Sequence, residues 1–198
     1  EVTRRLRSVC AAPILWGGVH PTVCPDECIT EADHVCVGEG EEATVELCRA
    51  LVEGRPVGAI PGLWTRRGEA IEEGAPRPLL QDLDTLPLPA YGLPGTVLIE
   101  DGKVIPGDPI RGTVEYRIYP ARGCPYQCTY CHAHVLRRIT SGIPGRFYRY
   151  RSVESVIREL EWALEVFPGT RRVKFDSDVF AFPKHWIEEF SAAYPKRV

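Results

Sequence analysis

The chain has 198 residues, 44% hydrophobic and 26% charged, with a formal net charge of -3. This balance belongs to a globular protein and excludes a disordered tail, a collagen-like fibre and a simple coiled coil. The mild acidity gives no reason to expect a nucleic-acid or anionic-membrane surface, and no apolar run approaches the ~18 residues that span a bilayer.

Glycine and proline contribute 18 residues each, so much of the chain is turn and connection. Methionine is absent, which predicts a piece of a longer protein. Residues 1–10 read as the end of a helix, followed by a short buried strand, Pro13 to Trp16, that stops at Gly17-Gly18. A second strand, Asp33 to Val37, stops at Gly38-Glu39-Gly40. Ala43, Leu47, Ala50 and Leu51 then repeat at helical spacing up to Gly54, a candidate C-cap. Helix, strand, helix, strand, helix is the rhythm of a doubly wound, Rossmann-like parallel sheet. Ligands of such sheets sit in glycine-rich turns at the carboxyl ends of the strands.

Over residues 56–113 the texture changes to recurrent prolines, with hairpins predicted around Arg67-Gly68 and Asp101-Gly102. This is a linker with little core of its own. From residue 114 a second α/β region begins. Tyr116 to Ala121 reads as a strand, a cysteine-rich loop follows, and Ser152 is a candidate N-cap. Val153, Val156, Ile157, Leu160, Leu164 and Phe167 form the apolar face of the next helix. Arg172 to Asp176 is a further strand, and Lys184 to Tyr194 starts another helix. Repeated strand-loop-helix units predict the first part of a (β/α) barrel, although the residues from 114 onward fall far short of the ~250 of a full one.

Eight cysteines are too few for a disulfide framework in a chain of this length. Three of them, Cys124, Cys128 and Cys131, lie in one loop with the spacing C-x3-C-x2-C. That pattern suits a metal site in a reducing compartment. Soft thiolates select zinc or iron-sulfur clusters over hard ions, and a four-iron cubane held by three cysteines keeps one iron open. With His132 or His134 as fourth ligand, the alternative is a zinc-stabilised Cys3His binding module.

The segment Arg122-Gly-Cys-Pro-Tyr-Gln-Cys-Thr-Tyr-Cys-His132, with an aromatic just before its last cysteine, resembles the signature of the radical S-adenosylmethionine (SAM) enzymes. Four further segments resemble, in order, the B12-binding domain and linker of cobalamin-dependent radical SAM proteins. These are Pro13 to Thr22, Asp33 to Glu42, Ile60 to Leu63 and Asp82 to Tyr91. The resemblance implies three regions: a partial cobalamin-binding Rossmann-like domain over 1–55, a linker with β-hairpins over 56–113, and the N-terminal part of a radical SAM barrel over 114–198.

The same resemblance implies a site. Cys124, Cys128 and Cys131 would bind a [4Fe-4S] cluster, whose open iron S-adenosylmethionine would chelate, to be cleaved by one-electron reduction to a 5′-deoxyadenosyl radical. Tyr130 would pack near the adenine. Asp178, in Phe175-Asp-Ser-Asp-Val-Phe180 at the end of the second barrel strand, would contact the amino group of S-adenosylmethionine; many relatives have two adjacent acids there, where this chain has Ser177 before Asp178. The turns Gly17-Gly18 and Gly38-Glu39-Gly40 would approach the corrin or its nucleotide tail. The implied activity is that of a cytoplasmic, oxygen-sensitive transferase that methylates an unactivated carbon or phosphorus, or that of a radical ring-forming enzyme. Its partners would be a small-molecule substrate and a one-electron reductant such as flavodoxin or ferredoxin. A radical SAM enzyme with a vestigial B12 domain is the alternative within the same class.

The remaining cysteines, Cys10, Cys24, Cys28, Cys36 and Cys48, read as small buried apolar residues. His20 reads as a polar turn residue. Five arginines between Arg137 and Arg151, with Phe147, Tyr148 and Tyr150 among them, read as a loop over the active-site mouth, because no RNA-binding appendage is visible.

Overall fold

The computed structural model describes residues 1–91, 93–112, 114–180 and 182–198; Thr113, at the expected end of the linker, lies outside them. The described chain is mixed α/β and divides into two compact units. The first comprises 1–81 and 125–147, the second 82–124 and 148–198.

In the first unit, helix α1 (Val2–Val9) leads into β1 (Leu15–Trp16), which pairs in parallel with β2 (His34–Cys36), Trp16 opposite Val35. Between them lie two five-residue helices, α2 (Val19–Val23) and α3 (Pro25–Ile29). The sequence reading gave neither a range, because five residues are too few to display a helical period. His20, read as a polar turn residue, sits in the first turn of α2. Cys28, Ile29, Ala32 and Val35 are fully buried, with Trp16, Val37 and Trp64 packed around them.

Helix α4 (Glu41–Val52) buries Ala43, Leu47 and Ala50, one stripe of a 3.6-residue period. It ends as expected at Gly54, whose φ of +64° allows the chain to turn back while Arg55 N–H donates to Ala50 O. The hairpin β3 (Leu63–Arg67) and β4 (Ala70–Glu73) forms around Arg67-Gly68 as expected. It is not a free piece of linker, however: β3 pairs antiparallel with β2, Val35 opposite Trp64, so the sheet runs β1-β2-β3-β4. Arg77 then anchors the following segment, donating to Pro61 O and pairing with Glu42 and Glu46 of α4. Helix α5 (His132–Ile139) packs against α2.

The second unit contains a two-stranded hairpin, β5 (Val97–Glu100) and β6 (Lys103–Pro106). Asp101 and Gly102 both have positive φ, the two-residue turn whose twist matches its strands. Strand β7 (Glu115–Ile118) stops short of the expected Ala121. Pro120 has no N–H to continue a ladder, and beyond it β8 (Ala121–Arg122) pairs instead with β9 (Arg149–Tyr150). Helix α6 (Val153–Val166) starts at Ser152, whose hydroxyl accepts the Ser155 N–H at 3.1 Å. Its buried face covers Tyr116 and Ile118 of β7. The chain returns as β10 (Arg172–Phe175), parallel to β7 with Phe175 opposite Ile118. Helix α7 (Lys184–Arg197) completes the unit, its Trp186 stacked between Phe182 and Phe190.

Candidate functional site

The glycine turns at the carboxyl ends of β1 and β2 are unequal. Gly18 (φ +102°) and Gly38 (φ +96°) hold backbone conformations that side chains rarely adopt, and no atom stands within 4 Å of where a Cβ would sit. Gly17 and Gly40 have ordinary backbones, and a Cβ there would touch Cys36 at 3.6 and 3.4 Å. The positive-φ glycines thus present bare backbone at both strand ends, the arrangement that admits a bulky ligand close to the main chain. Two acids, Glu41 and Glu42, occupy the first turn of α4. They make its N-terminus a poor anion cradle, so close approach is what these turns offer. Glu39 points away to the following segment, accepting the Leu80 N–H at 2.7 Å.

Sequence reasoning missed Thr22. Its side chain is buried at the end of α2, donates to Gly18 O at 2.7 Å and accepts the Gly38 N–H at 3.0 Å. A cleft of about 550 Å³ opens at the opposite ends of the same strands, lined by Arg7, Asp33, His34, Thr65 and Arg66 among others. Its acid is spoken for. Burial works against the charged form of Asp33, yet the Ile14 N–H and Arg7 together hold its carboxyl below the usual range.

The cysteine loop begins in the second unit, where Gly123 (φ +77°) turns the chain out of β8 into Cys124. Cys128 and Cys131 belong to the first unit, joined by a turn in which the Cys131 N–H donates to Cys128 O at 3.1 Å. Cys131 caps α5, and its sulfur accepts the Ala133 N–H at 3.5 Å. Cys128 is exposed and the other two are half-buried; all three are free thiols. Among the described residues, no group of three or more His, Cys, Asp or Glu is arranged to hold a metal ion. Tyr130, between Cys128 and Cys131, is 91% exposed. His132 is exposed, and the Nδ1 of half-buried His134 is shielded with no hydrogen-bond partner among the described residues. Asp178 lies exposed just beyond β10 in the second unit, while Asp176, two positions earlier, accepts from Arg117 and Tyr119 of that unit.

The other cysteines divide. Cys28 and Cys36 are buried, and burial pushes both thiols up from their ordinary range, as befits inert apolar residues. Cys10 and Cys48 are exposed and Cys24 is half-buried, which corrects the reading of them as buried: Cys10 lies just beyond α1 in extended backbone, and Cys48 stands outside the stripe that α4 buries with Ala43, Leu47 and Ala50.

The described site is thus that of an α/β protein with open glycine turns beside a helix capped by a cysteine of a three-thiol loop. No family model matches the chain. It is 33% identical over 174 residues to an uncharacterised methyltransferase of Pyrococcus horikoshii, covering 86% of this chain and 34% of that protein. Over 152 residues it is 30% identical to the anaerobic magnesium-protoporphyrin IX monomethyl ester cyclase of Synechocystis, covering 75% and 27%. Its fold matches the radical SAM methyltransferase TsrM of Kitasatospora setae, solved with tryptophan and a SAM analogue bound, at a TM-score of 0.69 and 20% identity, covering 99% of this chain and 35% of that one. TsrM is also solved with cobalamin and a [4Fe-4S] cluster bound. The cobalamin-dependent SAM radical enzyme OxsB, solved with aqua-cobalamin and SAM, matches at 0.58 and 16% identity, covering 99% and 26%. The chain shares its fold with the radical SAM proteins TsrM and OxsB, and it spans about a quarter to a third of the length of the relatives it matches.

Proposed function

We propose that the whole protein is a cobalamin-dependent radical SAM enzyme that transfers a methyl group to an unactivated carbon or phosphorus of a small molecule, or closes a ring on one. The observation that carries this reading is the packing of α5, capped by Cys131, against α2, which begins at Gly18. Within one unit, the helix capped by Cys131 and the helix capped by Gly18 pack together.

The donor set fits the cluster: three reduced thiols on an eight-residue loop are soft ligands of the number that leaves one iron open. Gly18 and Gly38 fit a corrinoid, since both offer bare backbone with open space before it. Cys124, Cys128 and Cys131 would hold the [4Fe-4S] cluster, Tyr130 would lie along the adenine, and Asp178 would accept from the amino group of S-adenosylmethionine. The cluster and corrinoid, when bound, supply electron transfer and methyl delivery. The chain's own part is to orient them, with residues 1–55 as part of the corrinoid domain, 56–113 as connection and 114–198 as the first barrel units. A flavodoxin- or ferredoxin-like donor would provide the electron.

Reduced whole protein incubated anaerobically with S-adenosylmethionine tests this. Consumption of S-adenosylmethionine should require bound corrinoid and fall at least about a hundredfold in Cys128→Ala, the scale on which loss of an essential catalytic group is felt. Unchanged consumption in that variant would overturn the proposal.

A further inference from the structure

We propose that Thr22 is a positioning residue for corrinoid binding: its hydroxyl ties the turn after β1 to the turn after β2 and sets the gap into which the corrinoid enters. This rests on the cobalamin part of the reading above.

A threonine near the end of a helix often donates to the carbonyl four residues back, and Thr22 does so to Gly18 O at 2.7 Å. That bond alone is local. The second is not: the same oxygen accepts the N–H of Gly38, sixteen residues away and at the end of the neighbouring strand, at 3.0 Å. The Thr22 side chain is buried, so water does not substitute for it. Both bonded residues are the two whose φ is positive in these turns. Each has an inherently broad conformational range, and one hydroxyl restricts both. The Thr22 N–H also donates to Gly18 O at 3.2 Å, so loss of the hydroxyl leaves the first turn partly held and frees the second.

Thr22→Val keeps the shape and removes the hydroxyl, whereas Thr22→Ser keeps the hydroxyl. Hydroxocobalamin is titrated into the apo whole protein and followed by tryptophan quenching, and hydrogen exchange of the segment containing Gly38 is read in the ligand-free protein. Thr22→Val should weaken binding about tenfold, the effect of one buried amide left unpaired, with faster exchange at Gly38. Thr22→Ser should bind within about threefold of wild type, because it restores the same bond. Wild-type affinity and exchange in Thr22→Val would overturn the inference while leaving the cobalamin reading intact. A wild-type protein that takes up no corrinoid would overturn both.

Discussion

Residue by residue, the turns separate conformational need from mere composition. Gly18→Ala and Gly38→Ala should each destabilise the chain by about 1–3 kcal/mol, the strain of a side chain in a backbone region it avoids, because no neighbour adds a clash. Gly17→Ala should be close to neutral, since its Cβ would meet Cys36 at an ordinary 3.6 Å; urea unfolding of the three variants distinguishes them. The sequence shows four glycines in two turns but not which of them bear positive φ, as that follows from how each strand end meets its helix. Thr22 was illegible for a similar reason, its decisive partner being a backbone amide on another strand.

His34 adds a pH dependence. It is buried in β2 with Nδ1 at 3.1 Å from Thr65 Oγ1, and burial holds its pKa below the ordinary 6.5, against the pull of Asp33. The unfolded chain therefore binds the proton more readily. Stability from the neutral ring is present above about pH 6.5 and is lost as pH falls below that value. Unfolding midpoints at pH 7.5 and 5.5 should differ more in wild type than in His34→Gln; an equal difference in both would contradict this account.

Among the elements, α6 shows what periodicity reveals and what it hides. Its apolar face was legible because burial of Val153, Val156, Ile157 and Leu160 needs only the 3.6-residue repeat. Glu159, one position before Leu160, is also buried, accepting from Tyr116 OH at 2.8 Å and pairing with Arg151, whose own side chain is largely covered. No helical pattern signals this, since one partner precedes the helix and the other lies on β7. Glu159→Ala should lower stability by about 3–5 kcal/mol, because it leaves a buried guanidinium without its counter-charge. Arg197→Ala, which breaks more exposed pairs with Glu154 and Glu161, should lower it far less, because solvent screens those pairs. Thermal melts of the two variants check the contrast. The β3-β4 hairpin teaches the same lesson: its turn was legible in Arg67-Gly68, whereas its pairing with β2 depends on a strand 27 residues earlier in the chain, Cys36 against Leu63 at the nearest register.

For the whole molecule, the chain passes between the two units at the cysteine loop, with Cys124 on one side of the division and Cys128 and Cys131 on the other. The three-thiol spacing was legible because the ligands lie close in sequence; the adjacency of α5 to α2 was not, because it joins segments more than a hundred residues apart. No helix of the described residues is long and apolar enough to cross a membrane. The central claim is that these three cysteines hold an iron-sulfur cluster, and metal analysis of the whole protein after anaerobic reconstitution tests it most directly. The account predicts a brown protein with about four irons per chain, and a colourless one without bound iron when Cys124, Cys128 and Cys131 are replaced by alanine. A colourless wild-type protein that holds one zinc and takes up no iron would contradict it.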